Sequence, residues 1–113
     1  MSETENHKGK LRVVPLLDGE SLEQQCERIC ILNSCRFDQR YHNTWRECLQ
    51  DEAYNKFIIV KDILFEVYDH KKFDDFDFEV IRESDDTFAF VGSFYNGGTC
   101  LSEMLEDGLS KLI

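Results

Sequence analysis

The chain predicts an α+β fold, and three observations carry that reading. Apolar residues recur at three- and four-residue spacing over 20–33 and 44–54, then at every second residue from Lys56 to Tyr95, then at helical spacing again up to Leu112. Only 6 Gly and 1 Pro occur in 113 residues, too few for a fibrous or disordered chain. The 9 Phe, 4 Tyr and 1 Trp supply bulky core material for one domain of ordinary size. The expected architecture is a two-layer sandwich. A four-stranded antiparallel meander is covered by three helices, in the order short β-α-α-β-β-β-β-α.

Taken in order, residues 1–10 are polar and read as a flexible leader, with a single globular domain over 11–113. "LRVVPLL", Leu11 to Leu17, is a short strand that Pro15 confines to an edge or ends early, because proline offers no backbone donor. Asp18-Gly19 is a turn signal. From Glu20 the pattern turns helical, with Leu22, Cys26, Ile29 and Cys30 on one face and a stop at Asn33-Ser34. A polar connector, "CRFDQRYHN", leads to a second helix capped by Asn43 or Thr44, whose buried stripe is Trp45, Cys48, Leu49 and Ala53.

The period then switches to two. "KFIIV" and "ILFEVYD" form a hairpin about Lys61-Asp62, with Asp62 tolerating positive φ. "FDFEVIRE" places Phe76, Phe78 and Val80 on one face against Asp77 and Glu79, and "TFAFVGSFY" places Phe88, Phe90 and Phe94 against Thr87, Ala89 and Ser93. Ser84-Asp85-Asp86 turns between them. Such strands predict a sheet that is apolar on one side and wet on the other. "TCLSEMLEDGLSKL" closes the fold with Leu101, Leu105, Leu109 and Leu112 at helical spacing.

Charge narrows the function classes. The net charge is −10, and it is uneven: residues 1–60 carry 8 basic and 10 acidic side chains, residues 61–113 carry 5 and 13. A field of that sign repels phosphate backbones and anionic membranes and favours basic partners. Direct nucleic-acid and membrane binding are therefore not expected. The opening MSETENHKGK has no apolar run, so neither a signal peptide nor an anchor is expected there, and the expected location is the cytoplasm.

Four candidate sites follow. Gly97, Gly98 and Thr99 link the last strand to the last helix, an outline shared with phosphate cradles. The G-x-x-x-x-G-K-[ST] pattern is missing, however, and no basic residue lies between Arg82 and Lys111. The corner reads as a structural turn in which the glycines supply backbone angles and Thr99 caps the helix. Cys26, Cys30, Cys35, His42 and Cys48 offer enough sulfur and nitrogen for zinc. Their spacing is wrong for a C-x-x-C knuckle, though, and Cys26 and Cys30 fall on an apolar helix stripe, so the main reading is free, buried thiols with no metal or cofactor. His42 beside Cys35 or Cys48 is the one catalytic pairing on offer, without any nucleophile signature. Finally, "DHKKFDDFDFEVIRESDD" carries eight acidic residues, among them Asp69, Asp74, Asp75, Asp77, Glu79, Asp85 and Asp86. These read as a solvated ridge and as a candidate surface for a basic partner protein.

Two resemblances bear on this. The order helix, antiparallel meander and closing helix resembles the double-stranded RNA-binding domain, which grips phosphates with lysines at the start of its last helix. Here that position reads Thr99-Cys100-Leu101-Ser102-Glu103, so the likeness covers topology without the chemistry. The block "KFIIVKDILFEVYDHKK…FDFEVIRESDDTFAFVGSFYNGGTCLSEMLEDGLSKL" is similar to small acidic accessory proteins of bacteriophages and mobile elements. That resemblance spans 56–112 and implies a protein that acts by binding a host protein, in the host cytoplasm.

The expected function is thus non-catalytic protein–protein binding, as a phage-type or immunity-type inhibitor that occludes a basic, nucleic-acid-handling partner. Two alternatives stand beside it. One is a metal-binding or enzymatic protein built on Cys26, Cys30, Cys35, His42 and Cys48. The other is an assembly subunit that self-associates through aromatics such as Tyr54, Tyr68 and Tyr95.

Overall fold

A computed structural model of the chain describes residues 4–53, 56–72, 79–95 and 101–113. Five strands form one antiparallel sheet: β1 (Thr4–Val13), β2 (Phe57–Val60), β3 (Ile63–Lys72), β4 (Glu79–Arg82) and β5 (Thr87–Tyr95). Three helices accompany it: α1 (Leu22–Leu32), α2 (Trp45–Glu52) and α3 (Leu101–Ser110). The strand order is β2-β3-β1-β5-β4.

That order corrects the expected meander in three ways. The segment expected to be a loose leader is, from Thr4 onward, the first part of β1. β1 is the central strand, paired with β3 on one side and β5 on the other, and it ends at Val13, before Pro15. Finally, β3 and β4, expected as neighbours, stand apart with β1 and β5 between them. The physical reason lies in how β1 is held. Its residues alternate between Gly9 and Leu11, which are buried, and Lys8, Lys10 and Arg12, which reach solvent. Ladder hydrogen bonds on both sides order the strand, so little apolar pattern is needed.

The expected two-layer sandwich is also corrected, because helices cover both faces. Strand β2 is buried throughout. Ile58 and Val60 join Leu11, Phe65, Val67, Phe88, Phe90, Leu105 and Leu109 in one core under α3. Phe57 and Ile59 join Leu64, Cys26, Ile29, Cys30, Cys48, Leu49 and Ala53 in a second core under α1 and α2. Adjacent β2 residues point to opposite faces, so the two cores lie on opposite sides of the sheet. The α1–α2 pair covers only the β2–β3 half. On the other half Lys8, Arg12 and Ile81 stay exposed.

Local chemistry sets the element ends. Ser21 caps α1 in a reciprocal box: the Gln24 N–H donates to Ser21 Oγ at 3.2 Å, and the Ser21 N–H donates to Gln24 Oε1 at 2.9 Å. Thr44 caps α2, with the Glu47 N–H donating to Thr44 Oγ1 at 3.1 Å. Glu23 of α1 takes the next two orphan donors of α2, the N–H groups of Trp45 at 2.6 Å and Arg46 at 3.3 Å. The first helix thereby positions the second. Between β2 and β3, Lys61 and Asp62 both take positive φ (50° and 62°), the two-residue turn that matches the strand twist. At the C-terminal end, Arg82 Nη2 donates to the Leu112 carbonyl at 3.0 Å and Lys61 Nζ donates to that of Ile113. Ile113 packs against the α3 core, whereas Leu112, expected on the buried stripe, is exposed.

Candidate functional site

The rim of the sheet at β4 gathers part of the predicted acidic surface. β4 is an edge strand, with Glu79 opposite Val91 and Arg82 opposite Phe88. Val80 leans into the α3 core, which sends Glu79 and Ile81 to the uncovered face. Glu79, Glu83, Asp85 and Asp86 are all exposed. The turn that carries Glu83, Asp85 and Asp86 is held by hydrogen bonds, and Glu79 stands at the start of the strand that leads into it. Thr87 accepts the N–H groups of Glu83 at 2.9 Å and Ser84 at 3.1 Å, and Ser84 Oγ lies 2.6 Å from Thr87 Oγ1. The Val13 N–H donates to the Asp86 carbonyl at 2.8 Å, tying the turn to the end of β1. Glu83 pairs with Lys10 at 3.3 Å. Glu79, Asp85 and Asp86 form no ion pair with another described residue, so their charge is available to a partner.

Other predicted ridge residues fall elsewhere. Asp74, Asp75 and Asp77 lie outside the described residues. Asp69 is on β3, separated from the rim by β1 and β5, at a distance on the order of 14 Å in the strand-pairing direction. It marks a bulge: β3 inserts one extra residue between the pairs Lys10↔Tyr68 and Lys8↔Lys71, and Asp69 takes φ 52°. With Lys8, Gly9, Lys10, Ala89, Phe90 and Val91 it lines a groove of about 340 Å³. Asp69 therefore sits among lysines and not on an acidic ridge. The sequence did not single out Glu83, although its position next to the Ser84-Asp85-Asp86 turn places it on the same rim.

The thiol and histidine candidates separate into two arrangements. His42 is buried in the connector, and both ring nitrogens are engaged. The Asp38 N–H donates to Nδ1 at 3.0 Å, which leaves Nε2 to donate its proton to Asp51 Oδ2 at 2.9 Å. Phe37 stacks between His42 and Trp45 at centroid distances of 5.7 and 4.8 Å. With Nδ1 already accepting a backbone proton, His42 has no lone pair to offer a thiol. It locks the connector to α2, within a shallow cleft of about 500 Å³ that Tyr41, Glu47 and Gln50 also line. Asp38 in turn is held below the usual carboxylate range by the Arg40 guanidinium and its backbone N–H.

Cys26, Cys30 and Cys48 are fully buried in the α1–α2 core, and Cys35 is partly exposed. Burial pushes the Cys26 thiol up to about 11, with the Glu23 carboxylate adding to the effect. Burial likewise raises Cys30 and Cys48, and Cys30 is raised further by the Cys48 and Cys35 thiols beside it. Among the described residues, no group of three His, Cys, Asp or Glu is placed to hold a metal ion. Gly97, Gly98 and Thr99, read from the sequence as a structural turn, lie outside the described residues, as does Tyr54.

The chain matches no family model, no curated protein and no solved structure. No helix among the described residues is long and apolar enough to cross a membrane.

Proposed function

We propose that this protein acts by binding another protein, and that the rim formed by Glu79, Glu83, Asp85 and Asp86 docks on a basic surface. The observation that carries the reading is a hydrogen-bonded turn beside an edge strand on which Glu79, Asp85 and Asp86 are exposed without an ion-pair partner among the described residues, while Glu83 pairs with Lys10. Charges carried on an ordered backbone lose less entropy on docking than charges on a loose segment, and they steer a basic partner during encounter. A net charge of −10 adds a long-range attraction to the same partner and repulsion of polyphosphates. The more specific form is an inhibitor of the phage or immunity kind, which covers a nucleic-acid-handling surface and works by occlusion without catalysis.

The test compares two charge-reversed variants of equal net charge. One carries Glu79→Lys, Asp85→Lys and Asp86→Lys; the other carries Glu27→Lys, Glu47→Lys and Glu52→Lys on the helices. Binding of a lysine-rich peptide is followed near physiological ionic strength. The rim variant is expected to lose at least about tenfold in association rate, and the helix variant far less. Equal losses in both would reduce the rim to ordinary solvated charge.

A further inference from the structure

The end of α1 brings two thiols together by backbone geometry. Ser34 takes φ 58°, the left-handed conformation that terminates helices. The Cys35 N–H bonds back to the Cys30 carbonyl at 2.9 Å, and the Ser34 N–H to that of Ile31 at 3.2 Å. This paired six-to-one and five-to-two pattern presses the side chain two residues past the cap onto the one three residues before it. In most proteins that contact is apolar. Here the two positions are Cys35 and Cys30. The Cys30 thiol also stands within interaction range of the Cys35 and Cys48 thiols, and its Sγ lies 3.9 Å from the Trp45 carbonyl.

We propose that Cys30 and Cys35 form a reversible redox pair, closed by a low-molecular-weight disulfide such as oxidised glutathione. Cys35 is the entry point because it is partly exposed, whereas Cys30 and Cys48 are sealed in the core. The Cys35 thiolate attacks one sulfur of the oxidant, the oxidant's S–S bond breaks, and one glutathione thiolate leaves. Cys30 then gives its proton to water, and its thiolate attacks the Cys35 sulfur and expels the second glutathione. Two protein thiols become one disulfide while one glutathione disulfide becomes two thiols. Closing Cys30 to Cys35 needs only local adjustment at the helix end. A link from Cys30 to Cys48 would have to form inside the packed α1–α2 interface.

Trypsin separates the outcomes, because Cys30 and Cys35 share the peptide 29–36 while Cys48 lies on 47–56. The folded full-length protein is treated with oxidised glutathione, unfolded in an alkylating agent, digested and weighed. The expected product is peptide 29–36 lighter by two hydrogens and unalkylated, with Cys48 alkylated. Cys48→Ala should retain this product and Cys35→Ser should abolish it. Closure should quicken by about tenfold per unit of pH, since thiolates carry both steps. A reaction that stops at glutathionylated Cys35 would overturn the proposal. So would a link joining 29–36 to 47–56, or thiols that stay unreactive until the protein unfolds.

Discussion

On the α3 side, the sheet presents Leu11, Phe65, Phe88 and Phe90 to Leu105 and Leu109, with Phe65 and Phe88 edge-on at 5.7 Å. On the other side, Phe57, Ile59 and Leu64 meet Cys26, Cys30 and Cys48, with Gln25 and His42 buried in the elements around them. The first core holds aromatic and aliphatic groups that offer packing and nothing else. The second contains thiols, an amide and an imidazole, and each polar group must be satisfied. Gln25 Nε2 donates to the Val14 carbonyl at 2.8 Å and the Pro15 carbonyl at 3.3 Å, and so pins the β1–α1 connector. The contrast teaches that one face is held by apolar packing alone, whereas the other combines packing with polar groups that each need a partner. The α1–α2 side also leaves half of its face of the sheet open, next to the acidic rim.

The largest expected effect tests the α3 side. Phe65→Ala should cost about 3–5 kcal/mol in urea unfolding, because it opens a cavity beneath a helix. Cys48→Ala, on the other side, removes one sulfur and should cost less than about 2 kcal/mol. The reverse order would erase the distinction between the cores. Gly9→Ala comes next. A Cβ there would stand 2.9 Å from the Phe90 ring and 3.1 Å from the Tyr68 carbonyl. Overpacking the central strand should cost about 1–3 kcal/mol, and an unchanged midpoint would show that β1 has room for the added methyl group.

Smaller effects sharpen the α1–α2 side. Ser34→Gly should stabilise by up to about 1 kcal/mol, since glycine adopts φ 58° without strain. A loss of stability would mean that the Ser34 side chain contributes more than its backbone angle. The smallest effect is on pH dependence. Arg28 and the Leu17 N–H hold Glu20 at about 2, against an ordinary 4.5. A depressed carboxylate stabilises the fold above its unfolded value and loses that contribution as pH falls through its folded value. The stability gap between wild type and Glu20→Gln should therefore be widest above about pH 4.5 and should close toward pH 2. A gap independent of pH would remove the ion pair from the account.

Elements with a local signature were legible in the sequence. The stripe Cys26-Ile29-Cys30, the stop at Asn33-Ser34, the Thr44 cap and the Lys61-Asp62 turn each depend on neighbours within a few residues, and each appears in the fold. β1 was legible only from Leu11 onward, and its part from Thr4 to Lys10 was not. A strand with partners on both sides can be held by its backbone while every second side chain is Lys or Arg, and composition reads such a segment as loose. The candidate surface inherits that gap. Asp69 and Glu79 look like one ridge only if their strands are neighbours, and inserting β1 and β5 between them leaves Asp69 in a lysine-lined groove. The Cys30–Cys35 contact was hidden differently: a five-residue spacing signifies nothing until the left-handed turn at Ser34 is known.

The most direct test of the acidic rim is a titration of isotopically labelled protein with a lysine-rich peptide, followed by backbone amide chemical shifts. Shifts concentrated on 79–87 and the adjoining residues of β5 are the predicted result. Shifts spread evenly over the acidic residues of α1, α2 and α3, or centred on them, would contradict it.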